Sequence, residues 1–138
     1  MVITHEFNLS CKGYCDIHKI TEAVTGAVRS SGLKNGIATV FTPSATSAIT
    51  TVEYEDGMLQ DFEEFFERVA STAWTYKHNE RWHDGNGFSH VRAALLGPSL
   101  SVPFVEGQLT LGTWQEIAFL DFDNRSRTRR IVVQMVGE

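Results

Sequence analysis

The order of the hydrophobic periods is what most constrains this chain. Helical spacing is confined to the part before Gly97, and from Ser99 onward the pattern consists of short alternating runs divided by turn residues. Helices early and strands late, without a regular strand–helix–strand alternation, fit the α+β class. Near the start, "VITHEFNL" places Ile3, His5, Phe7 and Leu9 on one face, as a half-buried strand requires. After "CKGYC", Asp16 is placed to cap a helix carrying Ile17, Ile20, Ala23, Val24, Ala27 and Val28, with Gly32 as its stop. "GIATVFT" (36–42) and "AITTVEY" (48–54) are rich in β-branched residues and predict strands. "EDG" then turns the chain into a second helix with an apolar stripe of Met58, Leu59, Phe62, Phe65, Phe66, Val69, Ala70 and Ala73, a pattern expected of core. "VRAALL" predicts a short helix closed by Gly97-Pro98. "SLSVPFV", "QLTLG", "TWQEIAFLDF" and "RRIVVQMV" predict an antiparallel meander. One domain over 1–138 is expected, with two main helices and mostly antiparallel strands. At 138 residues and 42% hydrophobic content, such a domain buries a core without staples.

The formal charge of −5 argues against nucleic acid or an anionic membrane as the main partner, since either calls for a basic surface. Small anions stay compatible, because a few local arginines suffice to bind them. No run approaches the roughly 20 apolar residues of a membrane span, and "MVITHEFNLS" lacks a signal peptide's pattern, so a cytoplasmic location is expected. Cys11 and Cys15 have a C-x3-C spacing that is neither a redox pair nor half of a familiar zinc knuckle. His18 offers a third ligand, but a structural ion normally takes four, so the expectation is two reduced thiols at a strand end.

The segment "HNERWHDGNGFSH" (78–90) gathers His78, His83 and His90 with Asp84 and Asn86. Imidazole titrates near neutrality and is the commonest transition-metal ligand, so three in one irregular stretch suit either a divalent ion or proton transfer. Their spacing of five and then seven is not helical, and Gly85 and Gly87 allow a sharp bend that brings the rings together. A solvated loop is the plainer alternative, weakened by Trp82 and Phe88, which suit a lid or an anchor. Other chemistries fail on spacing. Leu9 stands where H-E-x-x-H needs its second histidine, "HNE" has no P-C-x-x-C partner, and no Walker loop, G-x-G-x-x-G or G-x-S-x-G occurs. "TPSATS" supplies hydroxyls, among them Ser44 and Thr46, to an ordinary turn or to an anion. Arg125, Arg127 and Arg129 alternate, so in a strand they share a face, fit either to clamp a diphosphate or to protect an edge.

With these motifs in view, "GNGFSHVRAALLGPSLSVPFVEGQLTLGTWQEIAFLDFD", the following R-x-R-x-R and the closing "IVVQMVGE" resemble the YjbQ-like family, known also as secondary thiamine-phosphate synthases. The resemblance spans nearly the whole chain, and its most specific parts are H-x6-GPS, P-x3-G-x-L-x-LGTWQ and the closing strand. It implies a compact α+β fold in which mostly antiparallel sheet layers pack against the two main helices, and a homotrimer with sites near subunit boundaries. It also implies a weak coupling of a pyrimidine diphosphate to a thiazole phosphate with release of pyrophosphate. His78, His90, Asn86, Glu53, Ser99, Gly112, Trp114 and Gln115 match family motif positions. Many members carry a histidine and two threonines where this chain reads Ser44-Ala45-Thr46, and a subgroup lacking that histidine carries the His83-Asp84 found here.

The expected assignment makes His78, His90, Asn86 and Glu53 catalytic. Ser44, Thr46, Ser99, Trp114, Gln115, Arg125 and Arg127 are expected to bind substrate, and His78, His83 and His90 to hold a zinc or magnesium ion. A tryptophan placed like Trp114 is more often core than a substrate platform. Two competing readings are a non-catalytic trimeric binder of a phosphorylated or heterocyclic metabolite, and a metal-dependent hydrolase in which His83 or Asp84 activates water.

Overall fold

The two ends of the chain form one ladder: β1 (Val2–Cys11) runs antiparallel to β8 (Arg127–Gly137), in register from Val2 opposite Val136 to Cys11 opposite Arg127. The computed structural model describes residues 1–138. Further along the chain come β2 (Asp16–Lys19), α1 (Thr21–Ser31), β3 (Gly36–Phe41), β4 (Ser47–Val52) and α2 (Asp56–Val69). They are followed by α3 (Lys77–Trp82), α4 (Gly87–Leu96), β5 (Ser99–Val105), β6 (Gln108–Leu109) and β7 (Glu116–Asp121). The strands make a five-stranded sheet ordered β1-β8-β3-β5-β6 and a three-stranded sheet ordered β2-β7-β4, with every pairing antiparallel.

The small sheet lies in the middle. Ile49, Ile117 and Phe119 join Val24, Ala27 and Val28 of α1 and the inner face of the large sheet in one core. Ala48, Ala118 and Leu120, on the opposite face, pack with Phe66 of α2 and Ala93 of α4 in a second. Burial on both sides explains why β7 reads as a nearly unbroken apolar run: Ile117 through Asp121 are all buried. No helix is long and apolar enough to cross a membrane.

The α+β class and the single domain agree with the sequence, and four local expectations are corrected. Asp16 caps no helix; it opens β2, opposite Asp121, and α1 begins only at Thr21. Cross-strand pairing of Ile17 with Leu120 outweighs the helical spacing. The last strands are no simple meander, because β7 leaves the large sheet for the small one before β8 returns. The α2 stripe is only partly core: Phe66 is buried, while Phe65 and Val69 remain exposed. Finally, the histidine segment is mostly helical, with α3 and α4 joined by residues 83–86.

Candidate functional site

The bend between α3 and α4 brings two imidazoles into contact. His83 ends α3 at φ 57° and Gly85 follows at φ 69°, so two left-handed residues reverse the chain within four positions. Gly87 N–H donates to Asn79 Oδ1 at 2.8 Å, fastening the start of α4 to α3. No side chain fits at position 87, since a Cβ there would stand 2.5 Å from Tyr76 Cβ. Phe88 is buried and stacks on Tyr14 at 6.0 Å, which makes it the anchor of this segment, whereas Trp82 is exposed. As a result His78 of α3 and His90 of α4 lie with ring centroids 4.2 Å apart.

Their surroundings are unusual for a structural pair. His78 Nδ1 is buried, 3.4 Å from Asp84 Oδ1, and without a well-formed hydrogen bond. Burial, and next the neighbouring His78, lower the pKa of His90 below the ordinary histidine value. Asn86 is buried too, and its Oδ1 has no partner. Buried polar atoms left unpaired are rare in folded proteins, and two within nine residues of one hairpin mark a place suited to a ligand.

Beneath the hairpin lies a carboxylate network that the sequence reading overlooked. Asp121 and Asp123 are fully buried. Arg129 donates through Nε to Asp121 Oδ2 at 2.7 Å and through Nη2 to Oδ1 at 3.1 Å, and the same guanidinium reaches Ser44 at 3.0 Å and Thr46 at 2.7 Å. Asp123 accepts from Arg127 Nε at 2.7 Å, Thr46 at 3.2 Å and Asn86 Nδ2 at 3.3 Å. Burial alone would raise the pKa of Asp123, but the Asn124 amide, Asn86 and Arg127 together hold it below the usual carboxylate range. The available signal was "FLDFD" at the end of a strand buried on both faces: acids there need cations, and R-x-R-x-R supplies them four to eight residues on.

Two clefts flank this network. One, of about 320 Å³, is lined by Ser44, Ser47, His90, Ala93, Ala94 and Pro98, among others. The other, of about 230 Å³, is lined by Asp84, Asn86, Asn124, Arg125 and Arg127. Thr46 lies buried between them in the network, and Ser99 follows Pro98 but is exposed. The three arginines do not form one clamp: Arg129 is consumed by Asp121, Arg127 meets Asp123 through Nε, and Arg125 sits before β8 without an ion pair.

The remaining expected residues lie elsewhere. His83 is exposed and does not join the His78–His90 pair, so the three-histidine ion site does not assemble. Asp84 adds no third donor close enough, and the set as it stands does not fit a resident ion. Glu53 follows the far end of β4, where Val52 pairs with Glu116, the neighbour of Gln115. From Ser47 that is six strand residues, or about 20 Å. Gln115 is tied into its own loop by accepting from Gly112 N at 2.8 Å. Trp114 beside it is 72% exposed, so the expectation of a core position for it is overturned. Within one chain, the site residues therefore divide between opposite ends of the small sheet.

The model of the family described as UPF0047 protein YjbQ-like matches residues 5–138. The chain belongs to this family. Among YjbQ-like relatives, a UPF0047 protein of Methanothermobacter thermautotrophicus is 41% identical over 99% of this chain and 94% of its own length. Another from Archaeoglobus fulgidus is 40% identical over 94% and 98% respectively. A crystal structure of a YbjQ-like protein of unknown function from Sulfolobus solfataricus superposes with a TM-score of 0.95 at 32% identity, covering 100% of this chain and 99% of that one.

Proposed function

We propose that this YjbQ-like chain binds a phosphorylated small molecule at the α3–α4 hairpin and displaces pyrophosphate from it, in the manner of a thiamine-phosphate synthase. The observation that carries this reading is the contact of His78 with His90 at 4.2 Å beside a cleft, with His78 Nδ1 buried and without a well-formed hydrogen bond. In such a reaction a ring nitrogen of the thiazole phosphate attacks the methylene carbon of the pyrimidine diphosphate. The carbon–oxygen bond breaks, and its electron pair leaves with pyrophosphate. Catalysis then consists of holding the acceptor in line and stabilising the departing anion.

The chain offers groups for both tasks. Arg125 and Arg127 line the second cleft and offer a diphosphate two guanidinium groups, that of Arg127 held to Asp123 through Nε. His90 and the Ser44 hydroxyl line the first and would donate to phosphate oxygens, His90 as a neutral ring because burial and His78 lower its pKa. Arg129 positions Ser44 and Thr46 and does not itself touch substrate. Trp114 and Gln115 enter this reading only from a neighbouring copy, and a homotrimer with sites at its subunit boundaries would supply them.

The test is to incubate the protein with the pyrimidine diphosphate and the thiazole phosphate and follow pyrophosphate release. Wild type is expected to release it and His90→Ala to be at least tenfold slower. Release by neither, with tight binding of both phosphates retained, would favour the non-catalytic binder.

A further inference from the structure

The one place where three metal-ligating side chains converge is formed by Cys11, Asp16 and His18, whose donor atoms all lie within 4.8 Å of one another. Their meeting is built by the backbone. Cys11 is the last residue of β1, and Gly13, Tyr14 and Cys15 all have positive φ, which folds the chain back so that β2 begins at Asp16. Asp16 and His18, two apart in a strand, project from the same face. Asp16 Oδ2 lies 2.8 Å from His18 Nε2 and accepts from Lys12 N–H at 2.7 Å, so the carboxylate is held in orientation by the turn itself. Cys11 is buried, while the side chains of His18 and Asp16 are 29% and 21% exposed, leaving a way in from solvent. Cys15, which the sequence spacing suggested as a ligand, is not in the cluster; Asp16 takes its place.

We propose that Cys11, Asp16 and His18 form a binding site for a zinc-class divalent cation, with a water or an exogenous ligand in the fourth position. A tetrahedral ion at ordinary bond lengths separates such donors by about 3.3–3.6 Å, so the pair at 2.8 Å need only open slightly around it and the thiol close in. On binding, the Cys11 thiol gives its proton to solvent and a sulfur–metal bond forms. Thiolate and carboxylate then balance the two positive charges, and the imidazole completes a neutral complex. Thiolate with imidazole selects zinc over magnesium or calcium. The site shares no donor with the His78–His90 pair and stands independently of the function proposed for it.

Cobalt titration of the chelator-treated full chain tests this, because a thiolate ligand gives a charge-transfer absorption band that imidazoles alone do not. The band is expected in wild type, in Cys15→Ser and in the His78→Ala/His90→Ala double variant, and zinc is expected to abolish it by competition. It is expected to vanish in Cys11→Ser. His18→Gln, at a partly exposed position, is expected to fold as wild type and bind cobalt at least tenfold more weakly, which keeps the test decisive if Cys11→Ser does not fold. Absence of the band in wild type, its loss in Cys15→Ser, or unchanged affinity in His18→Gln overturns the proposal.

Discussion

Arg129 donates to both carboxylate oxygens of the fully buried Asp121, at 2.7 and 3.1 Å, and with its remaining N–H groups fixes Ser44 and Thr46. Removing that cation leaves Asp121 buried without its partner, a change that typically costs about 3–5 kcal/mol. Arg129→Gln is therefore expected to lower the urea midpoint severely, or to prevent folding. Arg130→Gln breaks an exposed pair with Glu6 at 3.2 Å and should cost about 0–1 kcal/mol. Equal effects of the two substitutions would remove the network from the account.

Asp123 makes stability pH-dependent in a known direction. Its folded pKa is lowered, so the stabilisation is fully present above the ordinary carboxylate value and is lost as pH falls through the folded one. Denaturation midpoints are expected to fall on acidification through that window. In Asp123→Asn, if it folds, the slope should be shallower by the share of one group.

Gly87 separates packing from propensity. Alanine inside a helix is ordinarily favoured over glycine by about 1 kcal/mol. Here the added Cβ meets Tyr76 Cβ at 2.5 Å and Asn79 Oδ1 at 2.9 Å, so α3 and α4 must move apart. Gly87→Ala is expected to destabilise by about 1–3 kcal/mol and to weaken phosphate binding, because His78 and His90 ride on the two helices that separate. Stabilisation by this substitution would show that the hairpin is not held as described.

Trp114, exposed and remote from the histidines, supports no core. Trp114→Ala should shift the stability of an isolated chain by no more than about 0.5 kcal/mol. If neighbouring copies complete the site, the same change lowers turnover or loosens the assembly, which sedimentation and activity measured together will show.

The framework was legible where one local rule acted alone. The alternation of Ile3, Phe7 and Leu9, the run of β8 and the glycine stop of α1 stand as read, while His5, expected on the same face of β1, is exposed. What the sequence concealed depended on pairing across distance. Asp16–Lys19 carries a helical pattern yet becomes a strand, because the left-handed turn before it delivers it to β7. The histidine segment looked irregular because Gly87 reads as a breaker, while the structure uses it for close approach at the first residue of α4. The proximity of His78 and His90 was foreseeable from the bend; the exclusion of His83 was not, since it depends on which residue closes α3. Glu53, Trp114 and Gln115 looked like companions of the histidines, but strand length alone separates them.

The most direct test of the hairpin site is a histidine-selective NMR titration of the full chain with inorganic pyrophosphate. The imidazole signals of His78 and His90 are expected to shift together and saturably, with those of His5 and His83 unmoved. In the free protein, His90 is expected to titrate below the ordinary histidine range. Shifts confined to His83, or none at saturating pyrophosphate, would contradict the claim that these two rings face a shared phosphate ligand.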